Sequence, residues 1–498
     1  MASTKSQILK DIARFTSSTI IAQAFTLIAG FLVAKFLGPT EFGVWTAVSL
    51  VLAYGAYMEL GAISVMGRDL PHLLGKGDKE KINSLEGHAR YVTIIGAFLG
   101  ALFVFIFSFS SSHSPIMAAG LQAMAIVLLF QQTHTYQRTT LRCHNKFKEL
   151  SHQQLILSFT TSLLAITLVF FASFYGRILT AIIAQIGIVV YCFRRNPWRD
   201  LHKFNFSIAW SIIRKGIPII ISGFILSLLA TIDRLFIIEF FGAEQLGFFS
   251  ISILLVTVVS LIPTMAGQVL YSRIDFQYGN SDKNIESLKS FIIIPPKIFS
   301  ALLPILIGIL YFSIPLIIKT FMPEYLPGIK TARIVIIGIF FFGILGLTDY
   351  FLVTTGKLKQ YIFFGFTALV LKIILNYTFI TLGYGIEGIA IGGTLLTYFI
   401  YSIIVIGYAV SHYIKEIKYF LRFFLRLWLP FIYMLILLWI IEVVVNYVMV
   451  LTLSNSLLFE TITQIFLYLI CCFPLIFIVF KDLKIDFSSD GIKRYLHQ

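Results

Sequence analysis

Charge is what this chain has least of. Only 13% of its 498 residues are Asp, Glu, Lys or Arg, where a soluble domain carries about a quarter. That shortfall excludes an ordinary water-facing surface. Cysteine is also scarce. Cys143, Cys192, Cys471 and Cys472 have no metal-ligand spacing, and the adjacent pair lies in an apolar run where buried thiols are expected. No paired-carboxylate or histidine constellation occurs in the polar stretches; His72, His88, His134, His144 and His152 are scattered. The connections between apolar runs are short and leave no room for a catalytic domain, so no enzymatic activity is expected. A cleavable signal peptide is not expected either: Lys5 and Lys10 precede an apolar run of full spanning length with no convincing cleavage site.

What is present is apolar surface. The chain is 58% hydrophobic and 15% aromatic, with 49 Phe, and its mean hydropathy is +0.89. In a bilayer every backbone amide must be satisfied internally, so apolar runs become helices or a closed barrel. Runs of about 20 residues without alternation select helices. Spans are expected near 17–37, 43–66, 91–111, 115–136, 154–174, 178–193, 216–239, 247–270, 291–317, 329–353, 361–381, 386–410, 427–447 and 458–480, the sixth being the shortest. The fold class is therefore an all-α polytopic membrane protein of about 14 transmembrane helices.

Loop charge orients these spans. The odd connections hold only Arg177, Lys319 and Lys330, whereas the even connections and both termini hold the remaining exposed cations, such as Arg68, Lys76, Lys79, Lys81 and Arg90. The positive-inside rule then places both termini in the cytoplasm. The net charge of +15 is dealt out loop by loop. Topology and anionic membrane lipids account for it, and nucleic-acid binding, which would cluster it in one domain, is not expected.

The chain also repeats itself. Phe36-Leu37-Gly38-Pro39-Thr40-Glu41-Phe42-Gly43 ends the first span, and Phe240-Phe241-Gly242-Ala243-Glu244-Gln245-Leu246-Gly247 ends the seventh, at an offset of 204. The same offset carries Gly75, Asp78 and Lys79 onto Gly279, Asp282 and Lys283. A weaker echo links Tyr175-Gly176 and Ala181 to Tyr384-Gly385 and Ala390. Glycine pairs mark turns, but turns alone do not impose a constant spacing. An even number of spans separates the copies, so both enter the membrane in the same sense, as in parallel-repeat transporters. Two six-helix lobes related by a pseudo-two-fold axis are expected, over 1–200 and 201–412, with two additional helices and a cytoplasmic tail over 413–498.

A charge at bilayer depth costs roughly 3 kcal/mol unless it is paired or hydrated. Lys35, Glu59, Asp233, Arg234, Lys297, Asp349 and Lys372 fall in spans, with Arg14 and Arg273 at helix ends. Inter-helix pairing or snorkelling suits Lys297 and Asp349; Lys372, one turn from Asn376, suits a polar cavity. Asp233 and Arg234 point about 100° apart on a helix and do not simply neutralise one another. Asp233 is read as structural and Arg234 as cavity-lining. Lys35 and Glu239 are repeat equivalents and are expected to pair as an outer gate. Pro218, Pro263, Pro295, Pro296, Pro304 and Pro315 permit bends, above all in the ninth span.

The Phe36–Gly43 turn resembles the polysaccharide repeat-unit flippases (O-antigen, or Wzx, type) of the multidrug/oligosaccharidyl-lipid/polysaccharide exporter superfamily. So does the stretch from Gly216 and Pro218 through Asp233-Arg234 to Gly242, Leu246-Gly247 and Ser250. Glu59-Leu60-Gly61 stands where members often have Asp-Leu-Gly, and Gly75-Lys76-Gly77-Asp78 is similar too. The resemblance runs through twelve spans. It implies a bacterial cytoplasmic (inner) membrane protein that moves an undecaprenyl-diphosphate-linked oligosaccharide to the outer leaflet, with other polysaccharide-assembly proteins as partners. It also implies that the two extra helices help form a groove for the lipid tail. On that reading Arg14, Arg234 and Arg273 would hold the diphosphate, with Lys372 and Glu59 as further cavity candidates, because guanidinium binds phosphate oxygens in a fork. Tyr54, Tyr57 and Gln268 would offer aromatic faces and hydrogen bonds to sugar. No organic cofactor is called for, and coupling to Na+ or H+ stays open. A cation-coupled drug exporter of the same superfamily is the alternative, although such proteins usually stop at twelve spans. A peptidoglycan-precursor flippase also has fourteen, but a dense basic set on its first span is missing here beyond Arg14.

Overall fold

The computed structural model describes residues 2–110, 114–195, 203–345, 348–452 and 456–483, with side chains of 2–16, 268–269, 271–272, 275, 449–452 and 476–483 outside the description. Among the described residues the chain is helical throughout, and eleven elements are long and apolar enough to cross a membrane. It is a multi-pass membrane protein.

Three of those elements double back. In α1 (Ala2–Gly55) the turn is at Gly38, and in α6 (Phe206–Asn280) it is at Gly242. Thr26 and Ser49 of α1 line one cavity, yet 23 residues of straight helix would separate them by about 35 Å. In α5 (Phe147–Arg195) the reversal is at Ala172–Ser173, so a Cβ on Gly176 would lie 1.9 Å from the Leu168 carbonyl oxygen. Counting each doubled element twice brings the passes to the fourteen expected. The sixth span, however, is not short. The turn precedes Tyr175, so Arg177 opens a helix rather than sitting in a loop.

The repeat is written into the backbone. Gly38 has φ 69° and ψ 173°, and Gly242 has φ 83° and ψ −178°. That corner of conformational space is open essentially to glycine alone. Both copies therefore use the same residue to make the same corner.

Contacts divide the chain into two compact units, Met1–Leu254 and Leu255–Gln498. In the first, α2 (Ala62–Lys76), α3 (Lys79–Phe107) and α4 (Pro115–Cys143) pack with α1 and α5, and Ala209 and Ile212 at the start of α6 join the buried cluster of α2 and α3. Asp78 caps α3 by accepting from the Lys81 amide, and Ser114 caps α4 by accepting from Met117.

The second unit contains α7 (Lys289–Phe321), α8 (Ile329–Leu345), α9 (Thr348–Thr354), α10 (Leu358–Thr381), α11 (Gly385–Ile389) and α12 (Thr397–Ser411). It also holds α13 (Ile417–Thr452) and α14 (Leu457–Leu483). Pro295, Pro296, Pro304 and Pro315 all fall inside α7. The two appended helices are fastened to it: Ser300 donates to the Leu427 carbonyl and Tyr468 to the Pro304 carbonyl. Arg333 on α8 bonds Glu442 on α13 at 2.9 Å, and Tyr311 donates to the same carboxylate at 3.1 Å. The Arg333 guanidinium also lies 4.2 Å over the Tyr311 ring.

Candidate functional site

The α1 and α6 corners of the first unit meet. A Cβ on Gly43 would fall 1.7 Å from the Ala243 oxygen, and one on Gly247 would fall 1.9 Å from the Pro39 oxygen. Each copy of the repeat thus inserts its glycine against the backbone of the other. One turn on, Ser250 Oγ lies 2.9 Å from Thr46 Oγ1, again at a separation of 204. Thr46 donates to the Phe42 carbonyl, leaving its oxygen free to accept. This clasp is neutral, and both hydroxyl side chains are buried. Lys35 and Glu239, expected to pair there, are both exposed, and among the described residues no ion pair joins them. The two corners meet instead through backbone, Gly43 against Ala243 and Gly247 against Pro39.

The same α1 strut is held at its far end. Gly61 and Gly216 approach so closely that a Cβ on either would be 2.3 Å or 2.5 Å from the other's Cα. Between the two ends Tyr54 bonds Thr231 at 2.9 Å and Tyr57 donates to the Gly223 carbonyl at 2.8 Å, both rings edge-on to Phe224. These tyrosines tie helices together. Glu59 is buried and accepts from the Ile63 amide at 2.5 Å and from the Ser64 hydroxyl at 3.1 Å. Its carboxylate caps the helix that follows the left-handed Leu60–Gly61 turn, where φ is 50° and 82°. It is absent from the cavity lining.

Behind the clasp lies a cavity of about 250 Å³ bounded by α1, α5 and α6. Among the described residues its polar lining comprises Thr26, Ser49, Thr161, Ser162, Arg177 and Arg234, besides the clasp hydroxyls, and no carboxylate. Thr26 and Ser158 are 3.0 Å apart, and both donate to the Ala22 carbonyl, at 2.9 Å and 2.7 Å. Arg234, on α6, is one of the lining residues. Asp233, its neighbour, is buried and does not line the cavity.

Arg177 is the addition. Its guanidinium lies 4.2 Å over the Trp45 ring, and its Nε and Nη1 are shielded from solvent without a hydrogen-bond partner among the described residues. The sequence contained one signal for it: a cation in an otherwise nearly cation-free set of connections. What hid its role was the turn. No glycine or proline marks Ala172–Ser173, where Ser173 takes φ 47° and donates to the Glu41 carboxylate.

The remaining candidates lie elsewhere. Arg14 and Gln268 lie outside the residues whose side chains are described. Arg273 and Lys372 belong to the second unit; Arg273 is exposed. Lys372 is fully buried, its ammonium 5.0 Å from the Tyr398 ring centre, and Asn376 is buried one turn away.

No curated protein matches the chain. Solved structures do. A "Lipid II flippase MurJ, inward closed conformation" aligns with TM-score 0.69 at 15% identity, covering 94% of this chain and 99% of that one. An inward-facing multidrug resistance MATE family transporter of the MOP superfamily aligns with TM-score 0.65 at 14% identity, covering 83% and 99%. A variant of the Vibrio cholerae MATE transporter VcmN aligns with TM-score 0.58 at 15% identity, covering 84% and 99%. The fold is that of this superfamily, as the motifs implied. The family profile described as "Polysaccharide biosynthesis protein" matches residues 32–330. By that match, which takes in more than half of its length, the chain belongs to the polysaccharide biosynthesis protein family.

Proposed function

We propose that the protein is a flippase that carries an undecaprenyl-diphosphate-linked oligosaccharide from the cytoplasmic to the outer leaflet of a bacterial cytoplasmic membrane, for cell-surface polysaccharide synthesis. The observation that carries this reading is the membrane-embedded cavity lined by Arg177 and Arg234 and, among the described residues, by no carboxylate. A cavity with two fixed cations favours an anionic cargo. Family membership points to polysaccharide assembly, and similarity to a lipid II flippase supports a lipid-linked form of that anion. Both termini lie in the cytoplasm on this reading, so the clasp closes the outer end and must part for release. The protein performs no covalent chemistry; it binds, rocks and releases, alongside other polysaccharide-assembly membrane proteins.

Cation-coupled drug export is the competing reading, since MATE transporters share the fold. Cationic drugs would meet repulsion from both guanidiniums. Reconstituted vesicles separate the two: radiolabelled lipid-linked sugar added to one leaflet should become accessible to an impermeant sugar-cleaving enzyme on the other. Extrusion of cationic dyes with no movement of the lipid-linked sugar would reject the flippase reading.

A further inference from the structure

A second cavity, of about 580 Å³, opens where α2 and the first turns of α3 and α6 converge. Its walls are amphipathic. Leu73, Leu85 and Ile212 supply apolar surface, while Arg68, Lys81 and Lys215 bring one cation from each of the three helices. Asp69 is the carboxylate among the described lining residues, and both its oxygens already accept from Arg68, at 2.7 Å and 3.2 Å. Lys81 lies 2.7 Å from Asp78. Among the described residues Lys215 makes no ion pair. Cations therefore outnumber acids even with Asp78 counted.

The walls are held in place by the fold. Ile212 belongs to the buried cluster that joins α2, α3 and α6, and the Asn205 amide donates to His88 Nε2 at 3.0 Å, tying the start of α6 to α3. Neighbouring residues give the depth. Phe206 and Trp210 are exposed and stacked, with ring centres 6.4 Å apart, and exposed aromatic rings at the end of a span mark headgroup level. The apolar run of the seventh span opens at Gly216, directly after Lys215. On α2, Arg68, His72 and Lys76 recur every fourth residue, away from the buried Met66 and Leu70, as on helices that lie at a membrane surface.

We propose that this cavity is a binding site for an anionic membrane phospholipid, such as a phosphatidylglycerol. Its phosphate lies among Arg68, Lys81 and Lys215, and the first part of an acyl chain covers Leu73, Leu85 and Ile212. Basic pockets between helices at headgroup level suit such lipids. A soluble phosphate would satisfy the cations and leave the apolar wall bare. Lys215 adjoins Gly216, and α2 begins directly after Gly61, so the lipid bridges the two sides of the Gly61–Gly216 contact. The loop-charge orientation makes its leaflet the cytoplasmic one. Neither the site nor its ligand depends on the identity of the cargo.

Trp210 provides the probe. The full-length chain is reconstituted in phosphatidylcholine vesicles containing a fixed minor fraction of lipid brominated on its acyl chains, and the Trp210 signal is taken as the difference from a Trp210→Phe variant. Brominated phosphatidylglycerol should quench it more than brominated phosphatidylcholine does. A Lys or Arg near the surface strengthens attraction to anionic lipid about fivefold, so Lys81→Gln and Lys215→Gln should each reduce the preference by about two- to fivefold. Lys418→Gln, which removes an exposed cation from the second unit, should leave it unchanged. Equal quenching by the two lipids, a preference that survives the Lys81→Gln and Lys215→Gln double variant, or an equal loss in Lys418→Gln overturns the site. Glycerol phosphate, the same anion without chains, should not displace the brominated lipid; displacement at micromolar concentration would assign the cavity to a soluble phosphate and overturn the lipid.

Discussion

Replacing Gly247 by Ala tests the clasp directly. The new Cβ would lie 1.9 Å from the Pro39 oxygen, and the two segments must part by about 1.5 Å to restore an ordinary 3.4 Å contact. The Thr46–Ser250 bond, 2.9 Å long, would then stretch to about 4.4 Å, which is no longer a hydrogen bond. Overpacking costs about 1–3 kcal/mol, and the lost hydrogen bond adds about 0.5–1.5 kcal/mol. The clasped form should lose about 1.5–4.5 kcal/mol relative to the parted one, roughly 10- to 1,600-fold in their ratio. Alanine's better helix propensity acts on both forms and does not offset this. To read the ratio, Thr46 and Ser250 are changed to cysteine in a chain lacking Cys143, Cys192, Cys471 and Cys472. The native oxygens are close enough that two sulfurs would reach bonding distance with small adjustments. The cysteine pair lacks the hydroxyl bond, so only the overpacking cost of about 1–3 kcal/mol acts there, and oxidative cross-linking, followed by mass spectrometry of the joined peptides, should slow at least about fivefold when Gly247→Ala is added. Cross-linking at the parent rate would refute the idea that these glycines set the closure.

Two further substitutions probe what holds the helices. Glu59→Ala removes the acceptor for the Ile63 amide and the Ser64 hydroxyl and should cost about 1–2 kcal/mol. Hydrogen exchange at residues 62–66 should accelerate, and unaltered protection there would show that the carboxylate is not a cap. Glu442→Gln weakens the charge-assisted bonds from Arg333 and Tyr311 and should destabilise the α13 docking by about 1–2 kcal/mol. In a double-mutant cycle with Arg333→Gln read by thermal unfolding, the pair should couple by at least about 0.5 kcal/mol; strict additivity would sink the latch.

Helices and their number were readable from the sequence because lipid leaves the backbone no alternative. A run of apolar residues of sufficient length must become a span whatever surrounds it. The corners at Gly38 and Gly242 were legible for a similarly local reason: their backbone angles are ones only glycine tolerates. The constant spacing of 204 therefore marked a real structural equivalence before any contact was known.

The use of the charged residues was another matter. Lys35 and Glu239 occupy equivalent positions, yet the two corners meet through backbone at Gly43 and Gly247. Glu59 looks like a cavity acid until its two donors are seen. Arg177 looks like a loop cation until the chain is found to turn three residues earlier than its glycine suggests. An intramembrane charge announces only that something must compensate it. Which partner does so depends on residues over a hundred positions away in the chain, such as Trp45 beneath Arg177. Periodicity and hydropathy are properties of a segment alone and so survive in the sequence. The compensation of a charge is a property of a neighbourhood, and only the folded chain assembles it.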